Sequence, residues 1–372
     1  MTIREFRLER FLAEREFLAP CVLGASDCET MSVFELLSLE PGSEDDLLLL
    51  RLGYIEPAGS PSLREAIAGL YRDVSPDEVI TFNGASEGIM AFMNTAFRPG
   101  DHVIVQFPAY QSLYEVARSI GCDVTPWHMD EGRGWSPDLD LLQDLVRPAT
   151  KAIVINSPHN PTGYQFPDSD LVALARFAEE RGITIFSDEV YRLLEHRAAD
   201  RLPAMVDLPG DHASLGDLSK VYGLAGLRIG WIATHDRGLL GRLARYKDYS
   251  TICNSVSSEF FAGIALRHHG RIAARNLEIV RYNIRLLERF FEKWSGLFSW
   301  VRPRAGSTAF PRLRAGIGAE EFCTDLLEST GILLVPGTVF EYDDAHIRFG
   351  YGRLDMPGAL DRLDNYLETC FS

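Results

Sequence analysis

Short apolar runs punctuate the middle of the chain, each followed by a stretch whose apolar residues recur every three to four positions. "EVITFNG" precedes "ASEGIMAFMNTAF", "DHVIVQFP" precedes "YQSLYEVARSIG", and "KAIVINSP" precedes "DSDLVALARFAEERG", after which comes "ITIFSDEVY". Runs that are apolar throughout predict strands covered on both faces, and amphipathic stretches between them predict crossover helices. The alternation therefore predicts an α/β domain with a mostly parallel sheet wrapped by helices. From about Arg271 the pattern changes. "RIAARNLEIVRYNIRLLERFFEKW" reads as one long helix, and short strands ("STAFPRL", "HIRFGYG") then mix with two helices ("AEEFCTDLLES", "MPGALDRLDNYLETCF"). This second pattern predicts a smaller α+β domain. We place the large domain at residues 45–270, and the smaller one at 271–372 together with 1–44 packing back on it.

Composition narrows the classes. The 372 residues are 46% hydrophobic, 10% aromatic and 24% charged, which is globular composition with ample material for two cores. A net charge of −16 argues against nucleic-acid and anionic-membrane partners, because the summed field repels both. Six cysteines without CxxC spacing predict reduced thiols and no metal site. The first residues, "MTIREFRLERFLAEREF", are charged and amphipathic rather than a signal sequence, and no apolar run is long enough to span a bilayer, so the expected location is cytoplasmic.

Ligands of parallel sheets sit beyond the carboxyl ends of the strands, so those loops carry the candidate chemistry. After "EVITF", the turn Gly84-Ala85-Ser86 opens a helix whose free N–H groups suit a phosphate, although a plain strand-to-helix turn capped by Ser86 explains it equally. "NSPHNPTG" supplies Asn156, His159 and Asn160, and also makes a good turn on local grounds. Asp188 and Tyr191 close the apolar strand "ITIF", where a carboxylate is poorly solvated and wants a cationic partner. In "DLSKVYGLAGLRIGW", Lys220 stands among small and apolar residues with Arg228 eight positions on. A lysine with few charges to pair with and partly stripped of water gives up its proton more easily.

Taken in order, these motifs resemble the class I/II aminotransferases, the fold-type-I group that uses pyridoxal 5'-phosphate, from "GYIEPAGSPSLREAIAGLY" to "HIRFGYG". The resemblance implies a Schiff base between Lys220 and the cofactor aldehyde, with Lys220 then moving the proton. It implies that Arg228, Ser219, Gly84, Ala85 and Ser86 hold the phosphate, that Asp188 pairs with the pyridine nitrogen, and that Tyr191 and Asn160 reach the phenolic oxygen. Tyr110, which on its own could be a core aromatic, is implied to stack on the ring. Arg348, otherwise an edge-strand arginine, is implied to bind the substrate α-carboxylate beside Asn160 and Gly24. Tyr54 is implied to reach the phosphate of a neighbouring subunit in a homodimer. The implied substrates are an amino acid and a 2-oxo acid.

Two stretches depart from the family pattern. Asp217 stands where Ser or Thr commonly touches the phosphate, and a carboxylate there repels it, so either Asp217 points away and its backbone serves or a basic group neutralises it. The segment "VLGASDCETMSVFELLSLEP", with "RYKDYSTICNSVSSE", more nearly resembles the capreomycidine synthases, which eliminate, replace and cyclise on the same cofactor with an arginine-like substrate. Asp27 and Glu29 in that segment are accordingly expected either near a cationic or polar substrate side chain or, as is common for charged loop residues, in solvent. A non-catalytic sensor of this fold, fused to a DNA-binding regulator, lacks support because no basic recognition helix is visible.

Overall fold

The computed structural model describes residues 3–371. Its centre is an eight-stranded sheet: β1 (Val79–Phe82), β2 (His102–Phe107), β3 (Asp123–Asp130), β4 (Ser136–Pro137), β5 (Thr150–Asn156), β6 (Thr184–Asp188), β7 (Ala213–Asp217) and β8 (Gly230–Thr234). The spatial order is β1-β8-β7-β6-β5-β2-β3-β4. Pairings from β3 through β2, β5 and β6 to β7 are parallel, whereas β8 runs antiparallel to both β7 and β1.

Side-chain alternation explains why the central strands are apolar throughout. Val103, Val105, Val154 and Phe186 face a layer built on the helices Ala85–Ala96, Ser112–Ile120 and Arg237–Asp248. Their neighbours Ile104, Ile153, Ile155 and Ile185 face the opposite layer, against Leu171, Leu174, Ala175 and Ala178 of the helix Asp168–Glu179. Each strand residue thus finds an apolar partner whichever way it points.

The smaller part gathers around the 25-residue helix His269–Lys293. It carries the sheet β10-β13-β12 (Thr308–Ala309, Ile347–Gly350, Val335–Pro336), the pair β9 (Phe298–Ser299) and β11 (Arg312–Leu313), and the helices Ala319–Thr330 and Met356–Cys370. Residues 21–24 attach to it as an extra edge: Gly24 N–H donates to Leu333 O (2.8 Å), and Gly350 N–H donates to Leu23 O (2.6 Å). The first turns go elsewhere. The helix Arg7–Ala13 lies between the loop after β2 and the turn Gly337–Phe340, with Arg7 N–H donating to Gln111 Oε1 (2.9 Å). The N-terminal segment therefore bridges both parts, where sequence patterning alone assigns it to the smaller one. All six cysteines are free, and among the described residues no helix is long and apolar enough to cross a membrane.

Candidate active site

The antiparallel strand β8 puts three sequence-distant loops at one edge. Gly230, its first residue, pairs with Asp217 at the end of β7 and with Phe82 at the end of β1. Lys220 and Arg228 lie on the connector between β7 and β8, beside the turn that follows β1. The loops after β2, β5 and β6 end at the same edge, with Asn156 directly paired to Asp188. Together they wall a cavity of about 820 Å³ lined by Ala85, Ser86, Tyr110, Asn160, Asp188, Tyr191, Ser219, Lys220, Arg228 and Arg348.

Gly84 adopts a left-handed φ of +88° and caps the helix Ala85–Ala96; a Cβ there would collide with a terminal nitrogen of Arg228. Only glycine allows the guanidinium to lie against the helix N-terminus, where N–H groups and a planar cation converge on one anion-sized cup. Asp217 lines the same cavity. Its Oδ1 accepts the Ser219 N–H (3.0 Å), and burial pushes its carboxyl up, against the downward pull of Ser219, Lys220 and Arg228. The sequence left open whether this acid turns aside or is neutralised; it stays in the cavity wall, held by the Ser219 amide and facing two cations.

Asp188 is buried, and burial raises its pKa to about 7, with Asp217 and Glu189 pushing the same way and Lys220 opposing. An acid so placed gains from a partner that brings a positive charge or a shared proton. The Tyr191 hydroxyl is buried with no hydrogen-bond partner. Such a group wants an acceptor or donor from the cavity.

Lys220 corrects one expectation. Its ammonium donates to Ser26 Oγ (3.1 Å) and is surrounded by acidic groups: burial alone would lower its pKa, but Tyr191, Asp27 and Asp217 outweigh it, and the net shift is upward. Two of these acidic groups come from distant segments, Tyr191 from the loop after β6 and Asp27 from the N-terminal segment, so the lysine's own stretch reads as nearly uncharged.

Arg348 is 1% exposed. Its Nε donates to Gly24 O (3.0 Å) and Nη1 to Asn160 Oδ1 (3.3 Å), leaving Nη2 free toward the cavity. Burial lowers its pKa against the pull of Tyr191, Glu9 and Asp27, yet a guanidinium stays charged. Gly24 thus supports the arginine from behind rather than lining the cavity, while Ala25, Ser26 and Asp27 do line it. His159 is structural: its ring joins Pro108 O (2.9 Å) and Thr162 Oγ1 (2.8 Å), and burial holds its pKa at about 3. Tyr54 is 89% exposed and outside the cavity wall.

Two expectations about acids also change. Asp27 lines the cavity but is gripped by Arg353 through both oxygens (2.9 Å each), and Glu29 accepts the Leu354 N–H (2.8 Å) away from the cavity. The acids that sequence reasoning missed are Glu115, on the helix Ser112–Ile120, and Glu9 and Glu16, delivered with Phe6, Leu8 and Leu12 by the N-terminal segment. The amphipathic spacing of "REFRLERFLAEREF" held that signal, but nothing in it says what the apolar face covers.

A model of the family aminotransferase class I and II matches residues 50–363. The chain belongs to this family. Its relatives include capreomycidine synthase of Streptomyces vinaceus, 32% identical over 97% of this chain and 93% of that protein, and aspartate aminotransferase of Thermotoga maritima, 28% identical over 88% and 86%. The structure of a PLP-dependent aminotransferase from Streptococcus suis superposes with a TM-score of 0.94 at 33% identity, covering both chains fully. As a member of the class I/II aminotransferases, the protein is a pyridoxal 5'-phosphate enzyme. When bound, that cofactor supplies an electron sink for charge left on the substrate Cα. The orphaned Tyr191 hydroxyl, the Gly84–Arg228 cup and the buried Asp188 fit its phenolic oxygen, phosphate and ring nitrogen respectively.

Proposed function

We propose that the protein transfers the amino group of an α-amino acid to a 2-oxo acid. In this reading Lys220 holds the cofactor and carries the proton, Asp188 keeps the ring nitrogen protonated, and Tyr191 and Asn160 bond the phenolic oxygen. Ser86, Ala85, Ser219 and Arg228 bind the phosphate, Tyr110 covers the ring, and Arg348 aligns the α-carboxylate so that the Cα–H bond faces Lys220. The observation that carries the reading is that, among the described residues, Lys220 is the one lysine in the cavity wall and no histidine shares it, so a single base serves both ends of the proton transfer. The remaining cation in the wall, Arg4, is tied to Glu115 (2.5 Å) and Glu341 (3.1 Å), which favours an acceptor with one carboxylate over a dicarboxylic acid.

We further propose a cytoplasmic homodimer, with the large domain at 45–270. Support comes from the family and from exposed Tyr54, Leu48, Leu49, Leu52 and Tyr249, an apolar set that a partner subunit would cover.

A second reading is elimination, replacement or cyclisation on an arginine-like substrate. It is favoured by the likeness to capreomycidine synthase, which spans 97% of the chain and so takes in most of the N-terminal segment outside the family match at 50–363. Spectral titration of the holoenzyme with single amino acids, followed by product analysis, separates the two. Conversion to the pyridoxamine form with release of a 2-oxo acid supports transamination. Ammonia release or a cyclic product without a 2-oxo acid requirement supports the second.

A further inference from the structure

Among the described residues six carboxylates line the cavity: Glu9, Glu16, Asp27, Glu115, Asp188 and Asp217. Most are already engaged. Asp188 and Asp217 form the cofactor floor; Glu115 takes both Nε (2.9 Å) and Nη2 (2.5 Å) of Arg4; Asp27 is forked with Arg353, and Glu16 lies 3.9 Å from the same guanidinium. Glu9 is different. Its Oε1 accepts the Tyr110 hydroxyl (2.7 Å), its Oε2 has no hydrogen-bond partner, and among the described residues no lysine, arginine or histidine forms an ion pair with it. Tyr110 fixes the carboxylate in place, and Phe6 braces Tyr110 with ring centroids 4.9 Å apart.

Glu9 acts on Arg348 through space but forms a direct ion pair with no cation among the described residues, so a ligand that brings a positive charge to it gains a partner there. The free Nη2 of Arg348 and the buried, unpartnered Tyr191 hydroxyl show that the same cavity is built to receive a polar ligand. Leu8, Leu12 and Phe6 stand beside Glu9 and offer an apolar wall for a methylene stem. We propose that Glu9 is a specificity-determining residue, pairing with the guanidinium or ammonium end of an amino acid whose α-carboxylate rests on Arg348. The substrate class is thus a basic amino acid, and the residue that selects it sits on the N-terminal helix. This inference rests on the reading of the cavity as an amino-acid site, but on neither of the two reactions.

The test compares kcat/KM of the holoenzyme for L-arginine, L-lysine, norleucine and L-citrulline, the last being nearly isosteric with arginine and neutral. Wild-type enzyme prefers the cationic substrates. In Glu9→Gln the arginine-to-citrulline ratio falls about 10- to 100-fold, through KM rather than kcat, as loss of a charge-assisted pair requires. Glu9→Asp, which keeps the charge on a shorter arm, retains part of the preference. Wild-type enzyme that handles citrulline or norleucine as well as arginine overturns the inference, and so does a Glu9→Gln enzyme that keeps the ratio. Both results leave the amino-acid site standing. If no amino acid alters the absorbance of the bound cofactor, the amino-acid reading itself falls, and this inference with it.

Discussion

Single side chains set the chemistry of the cavity through what surrounds them. Asp188 sits near neutrality because it is buried beside Asp217, so its protonation is available to a bound ring nitrogen. Replacing it with Asn keeps the shape and removes the charge; we expect kcat to fall by about 10²- to 10³-fold, with the cofactor still bound, measured by steady-state assay beside the absorption spectrum. Lys220→Ala abolishes turnover and the covalent link, which borohydride reduction and mass spectrometry read directly. A second buried lysine gives a stability test. Lys247 is 0% exposed, donates to Thr81 O (2.6 Å) and Asn254 Oδ1 (2.7 Å), and burial lowers its pKa to about 8 against the pull of Glu87 and Glu259. Between about pH 8 and the ordinary lysine value the unfolded chain binds more protons here than the folded one, so this group adds stability as pH rises through that window and withdraws it as pH falls. Denaturant titrations of wild type and Lys247→Met across pH 8 to about 10.4 should differ in slope accordingly; parallel curves would remove the assignment.

At the level of elements, burial on both faces decided what could be read. "KAIVI" and "ITIF" are recognisable as strands because each residue is apolar, which follows from the helical layers on either side. β7, "ASLGD", is not: Ser214 is buried with its hydroxyl on Glu189 Oε1 (2.9 Å), and Gly216 makes room for the Trp231 ring, so its partners come from distant segments. The antiparallel insertion of β8 beside β1 was equally hidden, since pairing direction leaves no mark on periodicity. Most site residues were nevertheless legible, because loops that follow strands keep a fixed order. The N-terminal wall was not. The helix Arg7–Ala13 has seven residues and is too short to hold itself in water. It depends on Arg4 with Glu115, Arg7 with Gln111, and Glu9 with Tyr110. Glu115→Ala should therefore loosen it: we expect KM for substrate to rise about tenfold and proteolytic cleavage before residue 16 to accelerate, with little change in kcat.

Across the whole molecule, one apolar cluster joins Trp127, Met129 and Trp135 of the large sheet's edge with Phe310, Val335 and Phe340 of the smaller part. His346 is sealed into this seam, 2.7 Å from Asp343 and 3.2 Å from Glu131, with Arg312 against Glu131 (3.0 Å). Burial lowers its pKa, but hydrogen bonds and charge from Asp343 and Glu131 outweigh it, so the net shift is upward. The contribution is full below the ordinary histidine value and fades as pH climbs through the raised one. Melting temperatures of wild type and His346→Gln should converge as pH rises above about 6.5; a constant gap would exclude a charged histidine. The bridge made by the amino-terminal segment carries a practical consequence. Residues 3–16 close one wall of the cavity, and residues 21–24 are stitched to the smaller sheet. Any change that shifts residues 3–16 reshapes the substrate wall itself, whereas the helix Met356–Cys370 contributes no residue to that wall.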